Sequence, residues 1–459
     1  MTEPESRIRA LEAAIFNAYR ARTAASRAWH DRAARSLVGG VSGTVRYFHP
    51  YPLYFAEGQG AWASDIDGNR YVDHFLCGAC LLPGHRHPAI MSAIAGTHAH
   101  GSLVLNDRLS TELAERLQAI APAAERVRLL NSGTEAVMSA LRFARAFTGR
   151  AVVVKFHGTY HGQGDDMLVG LDARARSLGA GVTDSAVAGT RLAEFGNFDQ
   201  LGIILERGDI AAVLVDPSMH HCGLWAGDAE TYRRIQKMTR EAGALLVFDE
   251  VISGFRLAAG GAQTYFGVTP DLAVYAKAFG AGEKIGAVAG RADVMAVADP
   301  SRRTQGPFAF QSGTGNDVRN SVAAAIAALE LYAAWDADGA YRALAARADR
   351  LGQGLQNAFA SRGIACHYNA LGPMVRLFLT DGPKTLKHCL SIDNRVLSLF
   401  HCALLTDGVL TIPGSNDFFL SFAHGDEEID FVIAAANAAL DRFDFASVSA
   451  IPERSANAH

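Results

Sequence analysis

The sequence predicts an α/β fold in which a mainly parallel sheet is covered by helices on both faces and a smaller domain completes the chain. Short, almost wholly apolar strands alternate with helical runs through the middle of the sequence, which is typical of a parallel sheet buried on both sides. From about Val322 a long Ala- and Leu-rich helical stretch leads into a C-terminal segment with its own strand and closing helix. The length of 459 residues leaves room for two or three domains.

The predicted elements follow one another along the chain. A helix is expected over residues 6–37, where apolar and small residues recur at spacings of three and four before a Gly-Gly pair. Two antiparallel strands are expected over residues 61–71, around a turn rich in Asp, Gly and Asn. The apolar strands of the sheet are expected at residues 127–130, 151–155, 211–215, 244–248 and 272–275. The closing segment has a predicted strand at 374–379 and a predicted helix at 427–442.

Composition disfavours several classes of protein. The chain has 43 Lys and Arg against 47 Asp and Glu, with no block of either sign, so nucleic-acid binding is not expected. No apolar stretch is long enough to span a bilayer and the first residues are charged, so a cytoplasmic protein without a membrane partner is expected. The six cysteines are scattered along the chain. Cys77 and Cys80 form one CxxC motif, but no second CxxC or HxxxH motif follows at the spacing of a zinc site, so no metal site is expected.

The first chemically informative segment is Asn131-Ser132-Gly133-Thr134-Glu135, where a predicted strand turns into a helix. The start of a helix offers unpaired N–H groups and a positive dipole end, and small residues leave the approach to it open. A phosphate would fit there. The alternative is an ordinary capped helix start, because Ser and Thr are common caps.

Two further segments carry charged groups at the ends of predicted strands, where parallel sheets bind ligands. Asp249 and Glu250 follow a buried strand. If Asp249 faces a pyridine nitrogen, its charge would keep that nitrogen protonated, and Val251 could cover one face of the ring. The alternatives for the acidic pair are Mg²⁺ binding and a helix cap. Lys277 ends the next strand among apolar neighbours, and desolvation would lower its pKa and favour a nucleophilic neutral amine. The alternative for Lys277 is a purely structural role, in which the aliphatic part of the side chain is buried and the amine reaches solvent.

The remaining motifs are weaker. Tyr160, in the glycine-flanked segment Phe156-His157-Gly158-Thr159-Tyr160-His161-Gly162, could stack on an aromatic cofactor, although a packed loop is the alternative. The glycines after Lys277 read GAGEKIG, whose spacing is not that of a dinucleotide-binding fingerprint.

Together, these residues resemble the class III aminotransferases of the fold type I pyridoxal-phosphate enzymes, and most of all the glutamate-1-semialdehyde aminomutase branch. The resemblance rests on NSGTEAVMSALRFARAFTGR at 131–150, YHG at 160–162, FDEVISGFR at 248–256 and DLAVYAKAFGAG at 271–282. It implies a large cofactor-binding domain over residues 86–335 and a smaller α+β domain built from residues 1–85 and 336–459.

By the same resemblance, Lys277 is the Schiff-base lysine and proton shuttle. Lys284 is the competing lysine, but it does not lie at a predicted strand end. Asp249 binds the pyridine nitrogen of pyridoxal 5′-phosphate, and Val251 and Tyr160 enclose its ring. Ser132, Gly133, Thr134 and His161 complete the cofactor site on this side. Gly313-Thr314 matches a pair that reaches the phosphate from the neighbouring subunit, so Thr314 implies a homodimer with shared active sites.

Several segments depart from the aminomutase pattern. The segment 38–46 retains Arg46 as a candidate carboxylate clamp, but Gly43 replaces the serine of the aminomutases, and their SWG stretch reads Cys77-Gly78-Ala79. These changes predict a different substrate pocket. His221 stands where the family places a residue near the ring hydroxyl and is a candidate for that hydrogen bond, with a loop-edge position as the alternative.

The expected activity is an aminotransferase that moves an amino group between an amine or amino acid donor and a keto or aldehyde acceptor by a ping-pong mechanism. The alternative is an aminomutase, which shifts the group within one molecule; racemase and decarboxylase activities share the same residues. A scaffold protein that retains the fold is a further alternative, but such a protein has no need of the lysine, the aspartate and the phosphate turn together.

Overall fold

The computed structural model describes residues 3–101, 105–171, 179–414 and 416–449. Its helices are α1 (Glu3–Arg22), α2 (Ala24–Ala33), α3 (Leu76–Ala79), α4 (Pro88–Thr97), α5 (Arg108–Ile120), α6 (Gly133–Thr148), α7 (Asp184–Ala188), α8 (Phe198–Leu205), α9 (Ala229–Glu241), α10 (Gly261–Phe266), α11 (Ala292–Met295), α12 (Arg319–Ala337), α13 (Ala340–Ala360), α14 (Leu386–Ser391), α15 (Arg395–Leu405), α16 (Asp426–Arg442) and α17 (Ala446–Ser449). Its strands are β1 (Phe55–Gln59), β2 (Trp62–Asp65), β3 (Arg70–Asp73), β4 (Arg126–Leu130), β5 (Val152–Phe156), β6 (Thr190–Ala193), β7 (Ile210–Val215), β8 (Leu245–Asp249), β9 (Leu272–Tyr275), β10 (Gly286–Gly290), β11 (His367–Leu371), β12 (Met374–Phe378), β13 (Val409–Leu410) and β14 (Asp417–Phe419).

The chain divides into two compact units. The sheet unit comprises Ala79–Leu81 and Pro88–Tyr341, and the terminal unit comprises Met1–Gly78, Leu82–His87 and Arg342–His459. Among the described helices, none is both long and apolar enough to cross a membrane.

The sheet unit contains a seven-stranded sheet in the order β4-β10-β9-β8-β7-β5-β6. The pairs from β6 to β9 are parallel, and β10 runs antiparallel to both of its neighbours. Every residue of β5, β7 and β8 is buried, so both faces of the central sheet are covered. The prediction of an α/β fold with a mainly parallel sheet is therefore confirmed.

The terminal unit is built from both ends of the chain. Its four-stranded sheet has the order β1-β2-β3-β13, in which the late strand β13 lies parallel to β3. A separate antiparallel sheet has the order β11-β12-β14. Helix α1 packs on α15, so the two ends of the chain also meet through helices.

Two details differ from the sequence predictions. The N-terminal helix is not continuous: Thr23 leaves helical backbone between α1 and α2, and its hydroxyl donates to the carbonyl of Tyr19 at 2.8 Å. The patterns also do not reveal β10, because its sequence GAVAG lacks the large apolar residues of a typical strand. A side chain at Gly286 would place its Cβ 2.5 Å from the Ser132 carbonyl oxygen, so the small residues let β10 pass beside the predicted phosphate turn.

Candidate active site

The predicted site residues meet in a cavity of about 220 Å³ in the sheet unit. The cavity lies at the carboxyl ends of the sheet strands, as expected for a parallel sheet. Its lining comprises Ser132, Gly133, Thr134, Val137, Tyr160, His161, Gly162, Asp216, His221, Asp249, Val251, Ile252, Ala276 and Lys277. A larger cavity of about 600 Å³ lies beside α4, α5 and α12, but none of the predicted site residues line it.

The start of α6 forms one wall of the cavity. Ser132 caps the helix by accepting a hydrogen bond from the Glu135 amide at 3.2 Å, and the Glu135 side chain accepts from the Asn131 amide at 2.7 Å. The amides of Gly133 and Thr134 have no acceptor within the described part of the chain. A side chain at Gly133 would place its Cβ 2.9 Å from Val251 Cγ2, so the glycine allows this turn to pack against the end of β8. The turn therefore presents two free amides and the positive end of a helix.

The two acidic residues at the end of β8 face different partners, as alternation along a strand requires. Asp249 is 6% exposed; its Oδ1 accepts from the Val251 amide at 3.1 Å, and its Oδ2 lies 2.7 Å from His161 Nδ1. Glu250 is fully buried and accepts from the Ser253 hydroxyl at 2.5 Å and from amides at the start of α10. Burial raises the pKa of the Glu250 carboxyl. Only Asp249 of this pair lines the cavity, so the two carboxylates do not form a shared metal-ligand pair.

Lys277 follows β9 and is half-buried at the cavity wall. Its surroundings lower the pKa of the ammonium, mainly because burial removes water from the charged form, while Cys80 and Asp249 act in the opposite direction. The backbone at Lys277 is left-handed, with a φ of 49°, which is uncommon for a residue with a side chain and often accompanies functional sites. Lys284, by contrast, is exposed.

The segment after β5 supplies another part of the wall. Tyr160 is 38% exposed, and the centroid of its ring lies 5.2 Å from that of His221, which also lines the cavity. Gly162 has a φ of 96°, and a Cβ there would lie 2.7 Å from Thr134 Oγ1. The glycine therefore lets this segment run against the first turn of α6.

Two predicted residues do not line this cavity. Thr314 is exposed, in a stretch attached to the phosphate turn by a 2.8 Å hydrogen bond from Asn131 to Asn316. Arg46 belongs to the terminal unit, where its guanidinium donates to the Ser42 hydroxyl at 2.7 Å.

Asp216 and Thr159 are not selected by the sequence patterns. Asp216 directly follows β7 and lines the cavity, where its carboxylate accepts from the Ser218 amide and hydroxyl and from the His220 amide. Thr159 contacts His161 just behind the cavity wall. The position of Asp216 at a strand end was a usable signal, whereas nothing in the sequence around Thr159 points to its partner.

Known proteins resemble this chain over most of its length. The family model described as aminotransferase class-III matches residues 45–363. A glutamate-1-semialdehyde 2,1-aminomutase from Desulforudis audaxviator is 39% identical over 425 residues, which cover 90% of this chain and 96% of the relative. The crystal structure of an omega-transaminase from Sphaerobacter thermophilus has a TM-score of 0.85 at 31% identity and covers 91% of this chain and 97% of its own. The structure of a glutamate-1-semialdehyde aminomutase variant from Pseudomonas aeruginosa PAO1 in complex with PMP has a TM-score of 0.87 at 25% identity and covers 95% of this chain and 99% of its own.

Proposed function

Since the chain belongs to the class III aminotransferases, a family of pyridoxal-phosphate enzymes, we propose that it shifts an amino group within one small molecule, as an aminomutase. The cavity that brings Lys277, Asp249 and the free amides of α6 together supports the pyridoxal-phosphate chemistry, and the observation that favours the aminomutase reaction is the match to aminomutases over most of the chain. A lysine amine, a buried carboxylate and a phosphate-binding turn are the groups that such chemistry requires.

The residues of the cavity fit the cofactor. The amides of Gly133 and Thr134 would bind its phosphate, and Asp249 would accept a hydrogen bond from its protonated ring nitrogen. Val251 and Tyr160 would lie on the two faces of its ring, and His221 would donate to its ring hydroxyl. When bound, pyridoxal phosphate supplies an aldehyde that condenses with amines and a ring that accepts electrons.

The remaining work belongs to the chain itself. Lys277 would use Nζ to take a proton from one carbon and deliver it to another, and its lowered pKa favours the neutral amine that this needs. Asp249 would be held in a fixed orientation because it has a hydrogen-bond partner on each oxygen. Arg46 would hold a substrate carboxylate, as the aminomutase-like segment 38–46 implies.

The relatives favour the aminomutase over the aminotransferase expected first from the sequence. Matches to glutamate-1-semialdehyde aminomutases extend over about nine-tenths of the chain, at 35–39% identity. Glutamate 1-semialdehyde, the substrate in their name, is therefore the first compound to test.

An aminotransferase that uses two substrates is the second candidate, and two observations favour it. Gly43 and Cys77-Gly78-Ala79 replace a serine and an indole of the aminomutase pattern, which changes the groups available to a substrate. The omega-transaminase of Sphaerobacter thermophilus is also closer in sequence than the aminomutase of Pseudomonas aeruginosa, at 31% against 25% identity.

The cofactor role of Lys277 is tested by spectroscopic titration with pyridoxal phosphate. The wild type is expected to develop a visible band and to retain the cofactor on Lys277 after borohydride reduction. Lys277→Ala should lose both, together with about 100- to 10,000-fold in turnover, whereas the matched control Lys284→Ala should behave as wild type. A colourless wild-type protein, or a Lys277→Ala protein with unchanged turnover, would contradict the proposal.

The two candidate reactions differ in their need for a second molecule. An aminomutase isomerises its substrate without a carbonyl acceptor once the aminated cofactor is present. If turnover of any amine stops when the acceptor is omitted, and no isomer forms from glutamate 1-semialdehyde, the aminotransferase replaces the aminomutase.

We also propose a homodimer in which Thr314 completes the site of the partner subunit. Thr314 is exposed beside the phosphate turn, in the sheet unit. The same unit exposes large apolar side chains at Leu105, Met138, Phe310 and Val318, which a second copy of the chain would cover.

A further inference from the structure

Three buried side chains form a hydrogen-bonded series behind the cavity wall. Thr159 Oγ1 lies 2.9 Å from His161 Nε2, and His161 Nδ1 lies 2.7 Å from Asp249 Oδ2. The exposed fractions of Thr159, His161 and Asp249 are 0%, 2% and 6%. Since water has little access to these groups, they must satisfy one another, and the hydrogens between them can be counted.

The count begins at Thr159. Its hydroxyl oxygen lies 2.6 Å from the Phe156 carbonyl oxygen. A carbonyl oxygen only accepts, so the single hydroxyl proton of Thr159 is donated to Phe156. Toward His161, Thr159 Oγ1 is therefore an acceptor, and His161 Nε2 must carry a proton.

The contact between His161 and Asp249 requires a second proton. An unprotonated nitrogen facing an ionised carboxylate at 2.7 Å would bring two lone pairs together in a buried place. With Nε2 already protonated, the second proton lies on Nδ1 or on the carboxyl oxygen. The first arrangement is favoured because the Val251 amide donates to the other carboxylate oxygen at 3.1 Å, and because short charge-assisted bonds stabilise an ionised pair.

Other charged and titratable groups also act on Asp249. Lys277 and Lys155 lie within electrostatic reach of it, as does Tyr160. Lys155 is held apart by donating to the carbonyls of Met167 and Val169 at 2.8 and 3.0 Å.

We propose that Thr159 is a positioning residue that keeps His161 doubly protonated, so that Asp249 meets the cavity as one half of an imidazolium–carboxylate pair. Its consequence for catalysis rests on the proposed function: the ring nitrogen of the cofactor would share Asp249 with a second cation. Thr159 would then influence the cofactor through His161 without touching it.

The protonation state is tested on the full-length protein without cofactor, by NMR of ¹⁵N-labelled histidine side chains. The His161 signals are assigned as those lost in His161→Gln. In the wild type and in Thr159→Ser, which keeps the hydroxyl, both ring nitrogens are expected to be protonated. In Thr159→Val, which keeps the shape and removes the acceptor, the Nε2 proton signal should be lost as the neutral Nδ1–H form takes over.

Two results would overturn the proposal: an unprotonated Nε2 in the wild type, or a Thr159→Val spectrum identical to that of the wild type. If Thr159→Val does not fold, the wild-type spectrum still decides, because the proposal requires both protons there.

A second measurement follows the bound cofactor. In Thr159→Val, loss of the imidazolium charge should raise the pH midpoint at which the visible absorption band of the bound cofactor changes. In Thr159→Ser, that pH midpoint should equal the wild-type value. An unchanged pH in Thr159→Val would contradict the link from Thr159 to the cofactor. A protein that takes up no pyridoxal phosphate refutes the proposed function instead, and the NMR result on the cofactor-free protein stands apart from it.

Discussion

Gly133→Ala is expected to weaken cofactor binding while leaving the fold intact. The new Cβ would lie 2.9 Å from Val251 Cγ2, 3.2 Å from Val251 Cγ1 and 3.4 Å from Ala276 Cβ. Val251 lies two residues after β8, where its amide donates to the Asp249 carboxylate, and its β-branched side chain has few alternative rotamers, so the first turn of α6 must move instead. Overpacking of this kind costs about 1–3 kcal/mol. If that cost falls on the phosphate turn, the dissociation constant for pyridoxal phosphate rises about 5- to 150-fold.

The assay is a fluorescence or absorbance titration of the cofactor-free protein, with the unfolding midpoint measured in parallel. Gly96→Ala is the matched control, because Gly96 lies in α4 with open space around it and an added methyl should stabilise the helix by roughly 0.5–1 kcal/mol. Val251→Ala removes the two methyl groups that the new Cβ would meet. In that background Gly133→Ala should therefore cost little further affinity. Unchanged affinity in Gly133→Ala alone, or an equal loss in both backgrounds, would refute the reasoning from packing.

Three further predictions concern pH and assembly. Burial lowers the pKa of three histidines of the terminal unit, to about 3 for His74 and His401 and about 4 for His424. Below pH 6.5 these histidines bind protons in the unfolded chain but remain neutral in the folded chain, so the free energy of unfolding should decrease as the pH drops from 6.5 toward 4. In His401→Phe, urea unfolding should show a smaller decrease over that pH range. A decrease as large as that of the wild type would contradict the prediction. Burial also lowers the pKa of Lys155 from 10.5 to about 7, so this residue should make the free energy of unfolding rise with pH between those values. Lys155→Met should make that rise less steep in urea unfolding, although it lowers stability overall, and an unchanged slope would contradict the reasoning. Finally, Thr314→Glu and Lys277→Ala subunits are each expected to be inactive alone. When they are mixed randomly, about half of the dimers contain one subunit of each kind and have one intact site of two, so about a quarter of the wild-type activity should return. No recovery in verified mixed dimers would exclude shared sites.

Much of the architecture could be predicted because it depends on local patterns. The strand β9 has the bounds expected from its apolar run, β4 and β7 begin one residue earlier than expected, and β5 and β8 are each shifted by one residue at both ends. The strands β6 and β10 escaped prediction, because their sequences carry no strong apolar pattern and their pairing with distant strands determines them.

The candidate site shows the same division. Lys277, Asp249 and the Ser132–Thr134 turn were predicted because each directly follows a strand, and strand ends of a parallel sheet converge. The exposed position of Thr314, and the absence of Arg46 from the lining of the cavity, could not be read from the chain, since both depend on how segments far apart in sequence fold together.

The sequence by itself determined that a lysine, an aspartate and a helix start would lie at one edge of a parallel sheet. Only the tertiary structure showed the role of Glu250, which does not line the cavity and is buried against the start of α10, because alternation along a strand sends neighbouring side chains to different partners. It also decided the contact of Asp249 with His161, 88 residues away, and of His161 with Thr159. Hydrogen bonds of that kind have no sequence signature, because they form only when separate strand ends are brought within about 3 Å of one another.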